Sequence, residues 1–446
     1  MAIRKLSAHI NRRYSSLAGI IFAVICFCFM FDVLYVYPKS VIKIGSANGS
    51  KTSPGVSAPD IFDFAPIHSE SIKSICSATE WNTSVVFTCD NSVGGVGNIR
   101  NSILNCVRYA ISAGGGLVLP KIIVRSNEDI AKIRTDERTN MDYMFDTTHF
   151  VKSLRLSCPQ LRLFKTINDV RNGRNGPGLM ALHPESLIDT IPKYGLTHPE
   201  KWRATFYDWL ERSSSDNRGE RMVIELARSY LQYPIYSDGE GFALAFGDIL
   251  KFRSDVRILA TKTLLNLFEA FPASIDQTKA TLRDGFFGAH LRTEKDAQEG
   301  WPAQDWEFSK YETQSRLYIE QATRSTAPVI YVASGDLEQV ARFAQDVKVI
   351  NKTVTTKFDL LKPEDTRYLR TLAWDQQALV DFLVMLKASD FAGVGHSSFA
   401  WNIALKRHIL AGTRKHLDGP QMLSDDLSQI YGKPRGYPEY ASCLWP

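Results

Sequence analysis

The chain has 446 residues, of which 44% are hydrophobic and 23% are charged, and its formal net charge is +5. This length predicts two or three domains, and the composition is typical of a globular protein. Arg4, Lys5, Arg12 and Arg13 supply four of the net charges, so the rest of the chain is nearly neutral. A nucleic-acid-binding protein needs a broad basic surface, and the sequence argues against that class.

The N-terminal residues predict a membrane anchor. Residues 17–36 are an apolar run with one charged residue, Asp32, near its end. About 20 apolar residues span a bilayer, whereas a cleaved signal peptide, the alternative, has an apolar region of ~7–15 residues. The basic residues precede the run, which predicts a cytosolic tail at residues 1–16 and a single-pass type II protein of the Golgi or ER membrane.

Cysteines and glycosylation patterns fit a lumenal body. Five cysteines follow the predicted span, at Cys76, Cys89, Cys106, Cys158 and Cys443. Such cysteines would meet an oxidising compartment and form at most two disulfides, whose pairing the sequence does not assign. Asn-x-Ser/Thr triplets, which are glycosylation acceptors by pattern, occur at residues 48–50, 82–84 and 351–353.

The chain beyond the anchor divides into a stem and two α/β halves. Residues 38–66 are rich in Ser, Gly, Pro and Lys without a helical or strand period, which predicts a flexible stem over residues 37–74. We expect an N-terminal domain at residues 75–275 and a C-terminal domain at residues 276–446.

Strand, glycine loop, helix and strand follow one another at the start of the first domain. Residues 84–88 and 117–120 predict strands, and the apolar positions of residues 99–111 recur with helical spacing. This βαβ order predicts a parallel sheet. Asp146 is expected to cap a further helix, and residues 200–256 are predicted to be helical.

The second domain repeats the alternation. We expect strands at residues 286–291, 329–333, 347–350 and 391–394. We expect helices at residues 258–271, 337–344, 375–388 and 399–407. The halves are expected to join near residues 272–284.

The strongest candidate for chemistry is the cluster that ends the strand at residues 286–291. His290, Arg292, Glu294 and Asp296 lie there, where open α/β sheets present ligand-binding groups. Strand alternation puts His290 and Arg292 on one face, and an Arg fork fits a phosphate. Arg292 would neutralise a diphosphate leaving group with Asp296 orienting it. The alternative is a structural ion pair at a strand end.

A glycine loop and a serine pair are the other candidates. Gly95, Gly97 and Asn98 follow a strand and open a helix, which suits an anion or a sugar, although a tight turn is the alternative. Ser397 and Ser398 begin a helix, where hydroxyl groups cap the backbone by default but can also bind phosphate.

Asp381, and the metal-binding and hydrolase motifs that the sequence lacks, limit the kinds of reaction that the site can carry out. Asp381 lies in an otherwise apolar helix and needs a partner, either a guanine N1–H/N2–H pair or a nearby Arg or Lys. The sequence has no Asp-x-Asp pair and no Cys/His metal spacing, which favours chemistry without a metal. It has no Gly-x-Ser-x-Gly elbow, so acyl transfer has no support.

The glycine loop, the cluster at residues 290–296 and the segment at residues 381–399, in this chain order, resemble motifs of the fucosyltransferase superfamily that includes the protein O-fucosyltransferases. Residues 290–296, HLRTEKD, resemble the HLRxExD motif of the plant O-fucosyltransferase-like group. Residues 94–100 resemble its G-x-x-N loop, residues 144–150 its F-D…H-F stretch, and residues 381–399 its segment ending in S-S-F. The likeness covers about residues 84–410. Thr293 stands where many members have a second Arg, and Val394 replaces the usual Asn.

The resemblance implies an inverting GT-B glycosyltransferase with two Rossmann-like domains, the N-terminal one on the acceptor side and the C-terminal one on the nucleotide-sugar side. It implies fucose transfer from GDP-fucose to a protein or glycan hydroxyl, without metal or other cofactor. It also implies that Arg292 and Asn98 are catalytic. The implied GDP-fucose-binding residues are His290, Arg292, Asp296, Asp381, Ser397, Ser398, Phe399, Gly95 and Gly97.

Two alternatives stay open at this point. A non-catalytic lumenal lectin or scaffold would keep the same fold, and no general base is evident in the sequence. A transferase that uses another GDP-sugar would keep the same guanine contact at Asp381.

Overall fold

A computed structural model describes residues 60–446 except 127, 171–177, 189–198, 214–220, 228–236, 272–278, 283, 412–423 and 434–444. The predicted tail and anchor, most of the stem, Cys443 and most of the expected junction at residues 272–284 lie outside the described residues. Within the described part, no helix is long and apolar enough to cross a membrane.

Strands and helices alternate along the described chain. The strands are β1 Val85–Thr88, β2 Gly116–Val118, β3 Lys121–Ile123, β4 Arg138–Asn140, β5 Leu163–Phe164, β6 Gly178–Leu182, β7 Met222–Leu226, β8 Phe287–His290, β9 Val329–Ala333, β10 Thr353–Thr355, β11 Asp390–Val394 and β12 Ser428–Tyr431. The helices are α1 Glu70–Ala78, α2 Val96–Ala113, α3 Thr147–Ser157, α4 Pro199–Ser213, α5 Glu240–Phe246, α6 Ser254–Ala270, α7 Lys295–Gly300, α8 Tyr311–Arg324, α9 Leu337–Asp346, α10 Lys357–Leu360, α11 Pro363–Leu369, α12 Trp374–Leu386 and α13 Ser398–His408.

Five strands of the first half form a parallel sheet in the order β5-β2-β1-β7-β6. All four residues of β1 are buried, as expected for a central strand with helices on both faces. Helix α2 follows β1 and ends at Gly114, whose φ of 71° is the left-handed conformation that favours glycine at a helix end. The predicted βαβ unit and its parallel sheet are therefore confirmed.

The second half contains a parallel sheet in the order β10-β9-β8-β11-β12. In chain order these strands run 3-2-1-4-5, so the connections reverse direction between β8 and β11. Ligands of open α/β sheets bind beside such a reversal, at the carboxyl ends of the strands. His290 ends β8 and Val394 ends β11, so the predicted motifs at residues 290–296 and 395–399 both start at this point.

Helices join the two halves. Helix α13 packs against α2, and α12 packs against α6. Arg100 of α2 is buried and donates a hydrogen bond from Nη1 to Asn402 Oδ1 of α13 over 2.9 Å. The apolar cluster around these helices includes Val85 of the first sheet and Ile430 of the second, so one core supports both sheets.

Three predictions about elements are wrong. Residues 347–350 form a 3₁₀ turn, with Val349 81% exposed, and the third strand of that sheet is β10. Residues 200–256 include β7, which pairs with β1 at the centre of the first sheet. The end of the predicted stem is packed, because Arg257 binds Asp60 and Asp63, and Ile72 of α1 is buried.

Two disulfides link elements of the first half, the largest number that the cysteine count allowed. Cys76 of α1 bonds to Cys158 at the end of α3, and Cys89 after β1 bonds to Cys106 of α2. The second bond therefore joins the end of β1 to α2, and the glycine loop at residues 94–98 lies between the two cysteines.

Candidate active site

A cavity of 790 Å³ lies at the carboxyl ends of the strands, between the two halves. The first half contributes residues 94–98 and Arg125, and the second half contributes residues that follow β8, β9, β10 and β11 together with residues of helix α12. The site residues predicted from the sequence that line it are Gly95, Gly97, Asn98, His290, Arg292, Asp296, Asp381, Ser397, Ser398 and Phe399. The fold thus brings together residues that lie up to 304 positions apart in the chain.

Arg292 is held by two carboxylates. Its Nη1 donates to Glu294 Oε2 and to Asp296 Oδ1, both over 2.8 Å, and its Nη2 donates to Asp296 Oδ2 over 2.9 Å. Burial alone would lower the pKa of Arg292, but the charges of Glu294 and Asp296 raise it above the ordinary value. The guanidinium therefore stays charged and is fixed in orientation.

This arrangement leaves part of the Arg292 fork available. A guanidinium has five N–H donors, and the acids take two at Nη1 and one at Nη2. The outer Nη2–H and the Nε–H remain, with no partner among the described residues. These two donors lie on one edge of the guanidinium plane, and such an edge binds two oxygens of a phosphate.

The backbone of Arg292 is fixed as well. The buried Gln314 of α8 accepts from the Arg292 amide over 2.8 Å and donates to the Arg292 carbonyl over 2.9 Å. Glu294 accepts from the amide of Gly335 over 2.7 Å. Burial raises the pKa of Glu294 and Asp296, but the charge of Arg292 opposes this, helped by the Gly335 amide at Glu294 and by Arg125 at Asp296, and both pKa values are lowered. Both acids are thus ionised and support the Arg at working pH.

Arg125 is a cavity residue that sequence reasoning missed. It follows β3 in the first half, and its Nη1 donates to Asp296 Oδ2 over 2.8 Å. Its guanidinium lies 4.9 Å from the ring of Trp374. Asp296 therefore binds one Arg from each half of the molecule. The only sequence signal was an Arg close after an apolar strand.

Asp381 has internal partners. Lys357 Nζ donates to its Oδ2, and the hydroxyl of Tyr331 donates to its Oδ1 over 2.7 Å. Burial raises the pKa of Asp381, and Lys357 lowers it in part. The structure thus supplies the second of the two partners predicted for this carboxylate, a nearby Lys. Guanine recognition by Asp381 stays a prediction.

Two helix N-termini meet at the cavity. Ser397 caps α13 by accepting from the Ala400 amide over 3.4 Å, and α2 begins after Gly95, which has no side chain to cap it. A Cβ at Gly97 would lie 2.5 Å from the backbone of Ser398, so glycine lets the helices approach. Unpaired N–H groups at such ends attract anions.

The glycines of the loop differ in whether the position could accept a side chain. Gly94 has a φ of 106°, and a Cβ there would lie 2.9 Å from Asn98 Nδ2. A Cβ at Gly95 would meet nothing within 4 Å. Asn98 is half-buried in the first turn of α2 and faces the cavity beside Gly94. The loop conformation therefore depends on Gly94 and Gly97 rather than on Gly95.

Two buried histidines lie beside Arg292. His290 contacts Ser397 Oγ through Nδ1 at 3.4 Å, and its ring lies 4.6 Å from that of Phe399. Burial lowers the pKa of His290 to about 4 and that of His396 to about 3. Neither ring nitrogen of His396 has a hydrogen-bond partner among the described residues. Both histidines are neutral at working pH.

The family model described as GDP-fucose protein O-fucosyltransferase matches residues 85–410, well over half of the chain. The chain belongs to the GDP-fucose protein O-fucosyltransferase family. The matched range contains every site residue named above, including the Arg292 cluster and both helix N-termini. The family makes the chain a glycosyltransferase with GDP-fucose as its donor, which confirms the function expected from the sequence.

Solved fucosyltransferase structures are also similar to the chain. A structure of POFUT1 with GDP-fucose is 15% identical with a TM-score of 0.45, and covers 80% of this chain and 100% of its own. A mutant of Arabidopsis thaliana FUT1 in complex with GDP is 13% identical, with a TM-score of 0.37, and the match covers 76% of this chain and 71% of that protein. NodZ α-1,6-fucosyltransferase, in a crystal soaked with GDP-fucose, is 13% identical, with a TM-score of 0.35, and the match covers 71% of this chain and 90% of that protein. No curated protein sequence matches the chain.

Proposed function

We propose that this family member is an inverting, metal-independent transferase that moves fucose from GDP-fucose to a hydroxyl group of a protein or glycan. The proposal takes the two halves as the Rossmann-like domains of a GT-B enzyme. The observation that carries it is the Arg292 fork, fixed by Glu294 and Asp296 with two N–H groups left for a diphosphate.

The site suggests how the residues would divide the work. The acceptor hydroxyl oxygen forms a bond to C1 of fucose and its proton is released, while the bond from C1 to the β-phosphate oxygen breaks and GDP departs with the electrons of that bond. Arg292 stabilises the charge that develops on GDP, together with the N-terminus of α13 at Ser397 and Ser398. Asn98 and Gly97 line the cavity from the first half of the molecule, the half where we expect the acceptor to bind.

Metal independence rests on the charge already present. Fixed cations and helix N-termini stabilise a developing anion without the rearrangement that solvent would need. The proposal predicts that GDP release from GDP-fucose, measured in the presence of acceptor, is unchanged by EDTA.

We also propose a location. The apolar run at residues 17–36 would anchor the chain in a Golgi or ER membrane with its catalytic body in the lumen. Two disulfides in the first half suit an oxidising compartment. Protease protection of the body in intact microsomes, with the N-terminus exposed, is the expected result. Digestion of the body without detergent would contradict this orientation.

The test of the activity uses a panel of donors and a binding measurement. GDP-fucose, GDP-mannose and GDP are titrated into the protein, and GDP release is followed with candidate glycoprotein acceptors. Selective release from GDP-fucose supports the proposal. If GDP-mannose were used equally well, the protein would not be specific for GDP-fucose as its donor. Tight binding of GDP-fucose without release of GDP would favour a lectin-like protein.

A further inference from the structure

Two further charged groups bring buried polar atoms to the same cavity from opposite halves of the molecule. Arg125 follows β3 and is 5% exposed, and Asp375 lies in the first turn of α12 and is 2% exposed. Both line the cavity. Neither was among the site residues predicted from the sequence.

Each group has hydrogen bonds that fix it in place and one buried polar atom that lacks a partner among the described residues. Arg125 Nη1 donates to the Ile130 carbonyl over 2.7 Å as well as to Asp296, but the buried Nε has no partner among the described residues. Asp375 Oδ1 accepts from the hydroxyl of Tyr143 over 2.7 Å, but the buried Oδ2 has no partner there either.

The two leftover atoms are complementary. Nε–H is a donor and Oδ2 is an acceptor, and the Arg125 guanidinium lies 4.9 Å from the ring of Trp374, the residue before Asp375. Burial raises the pKa of Asp375, while Tyr143 and Arg125 lower it in part, and the net direction is upward. Leaving a buried polar atom unpaired is unfavourable, and more so if the atom is charged, so a ligand that satisfied both atoms would gain affinity.

A hydroxyl group fits this pair because its oxygen accepts one hydrogen bond while its hydrogen donates another. We infer that Arg125 and Asp375 together bind a substrate hydroxyl group, with Arg125 Nε–H donating to its oxygen and Asp375 Oδ2 accepting its hydrogen. This inference rests on the proposed function, because it assumes that the cavity holds the transfer reaction.

The hydroxyl group has two possible sources in such a reaction. One is the ribose of the GDP portion, and Asp375 is then a binding residue. The other is the acceptor, and Asp375 then takes the hydroxyl proton as the oxygen bonds to C1 of fucose and GDP leaves with the electrons of the broken C1–O bond. A carboxylate whose pKa is raised by burial is suited to that role.

Asp375→Asn is the main variant. It keeps an oxygen for Tyr143 but replaces the acceptor at Oδ2 with an NH₂ donor. Tyr143→Phe is the matched control, because it removes the hydrogen bond at Oδ1 and leaves Oδ2 unchanged. Arg125→Lys keeps the positive charge but removes Nε–H, and it serves if Asp375→Asn does not fold.

The readouts are the Kd values of GDP, 2′-deoxy-GDP and 3′-deoxy-GDP, and the rate of GDP release from GDP-fucose with water as the acceptor. If ribose is the source, Asp375→Asn raises the Kd of GDP about tenfold. The Kd of the deoxy analogue that lacks the bound hydroxyl group is then unchanged by the substitution. If the acceptor is the source, GDP and GDP-fucose bind as in the wild type, while release falls about 100-fold.

Two results would overturn the inference. One is a folded Asp375→Asn or Arg125→Lys protein within twofold of wild type in every Kd and rate. The other is a Tyr143→Phe protein that loses as much as Asp375→Asn, which would make the carboxylate a structural tie between the halves. A wild type that binds no GDP-fucose would instead sink the proposed function, and it is measured first.

Discussion

Arg292 depends for its role on the residues around it. Glu294 and Asp296 hold its guanidinium, and Gln314 holds its backbone at the end of β8. An Arg tied down in this way loses little side-chain entropy when a phosphate binds. Preorganised charge of this kind is the largest single contribution to many enzymatic rate accelerations.

Asp381 offers a test at the residue scale. Removing one partner of a buried ion pair destabilises a protein by about 3–5 kcal/mol, so Asp381→Asn is expected to lower the free energy of unfolding by that order. The double variant Asp381→Leu with Lys357→Met is expected to recover most of the loss. Chemical denaturation checks both. A stable Asp381→Asn protein that no longer distinguishes GDP from IDP would instead show guanine recognition.

The buried histidines predict a pH dependence of stability. The pKa of His396 is lowered to about 3 in the folded protein, whereas the ordinary pKa of histidine is near 6.5. Between these two pH values the unfolded chain therefore binds a proton at His396 that the folded chain does not bind. Stability therefore falls as pH falls below about 6.5, by up to about 1.4 kcal/mol per pH unit for each such histidine. His396→Gln is expected to flatten this slope between pH 6.5 and 5.

Urea denaturation at several pH values measures the slope. An unchanged slope in His396→Gln would show that His396 does not carry the predicted penalty.

At the scale of elements, the approach of α2 to α13 builds the cavity. Gly97→Ala would place a Cβ 2.5 Å from the backbone of Ser398, so the helices must separate. We expect a loss of about 1–3 kcal/mol in stability and a marked loss of GDP-fucose affinity. Gly95→Ala is the matched control for the change in stability, since its Cβ would meet no protein atom within 4 Å. Equal effects of the two changes would contradict this account.

Local patterns predicted elements well where one face or one run was clearly apolar. The strand at residues 329–333 is confirmed, and helix α2 is longer at each end than the predicted 99–111. Residues 347–350 alternate like a strand, but Asn351 adopts a φ of 54° and ends a 3₁₀ turn. Strand β7 was missed because its Trp-, Tyr- and Arg-rich flanks suggested helices.

The parts of the candidate site that the sequence predicted are short motifs whose residues lie close together in the chain. Arg292 and Asp296 are four residues apart and form one motif. The contact of Arg125 with Asp296 spans 171 residues, and that of Tyr143 with Asp375 spans 232. Such pairs exist only once both halves have folded, so no single segment signals them.

At the scale of the whole molecule, the two disulfides are expected to stabilise the first half. Each closes a loop of the unfolded chain, and removing a native disulfide typically costs about 2–5 kcal/mol. Cys76→Ser with Cys158→Ser is expected to lower the free energy of unfolding by that order, measured by denaturation under oxidising conditions. No change in stability would mean that the bond does not form in the protein.

The central claim is that a fixed Arg, without metal, binds the diphosphate of GDP-fucose. Isothermal titration of GDP-fucose into the body of the protein, starting before residue 60 and in the presence of EDTA, tests it most directly. We predict micromolar binding to the wild type and to Arg324→Ala, whose side chain is 65% exposed, and none to a folded Arg292→Ala protein. Binding that disappears with EDTA, or that survives in Arg292→Ala, would contradict the account.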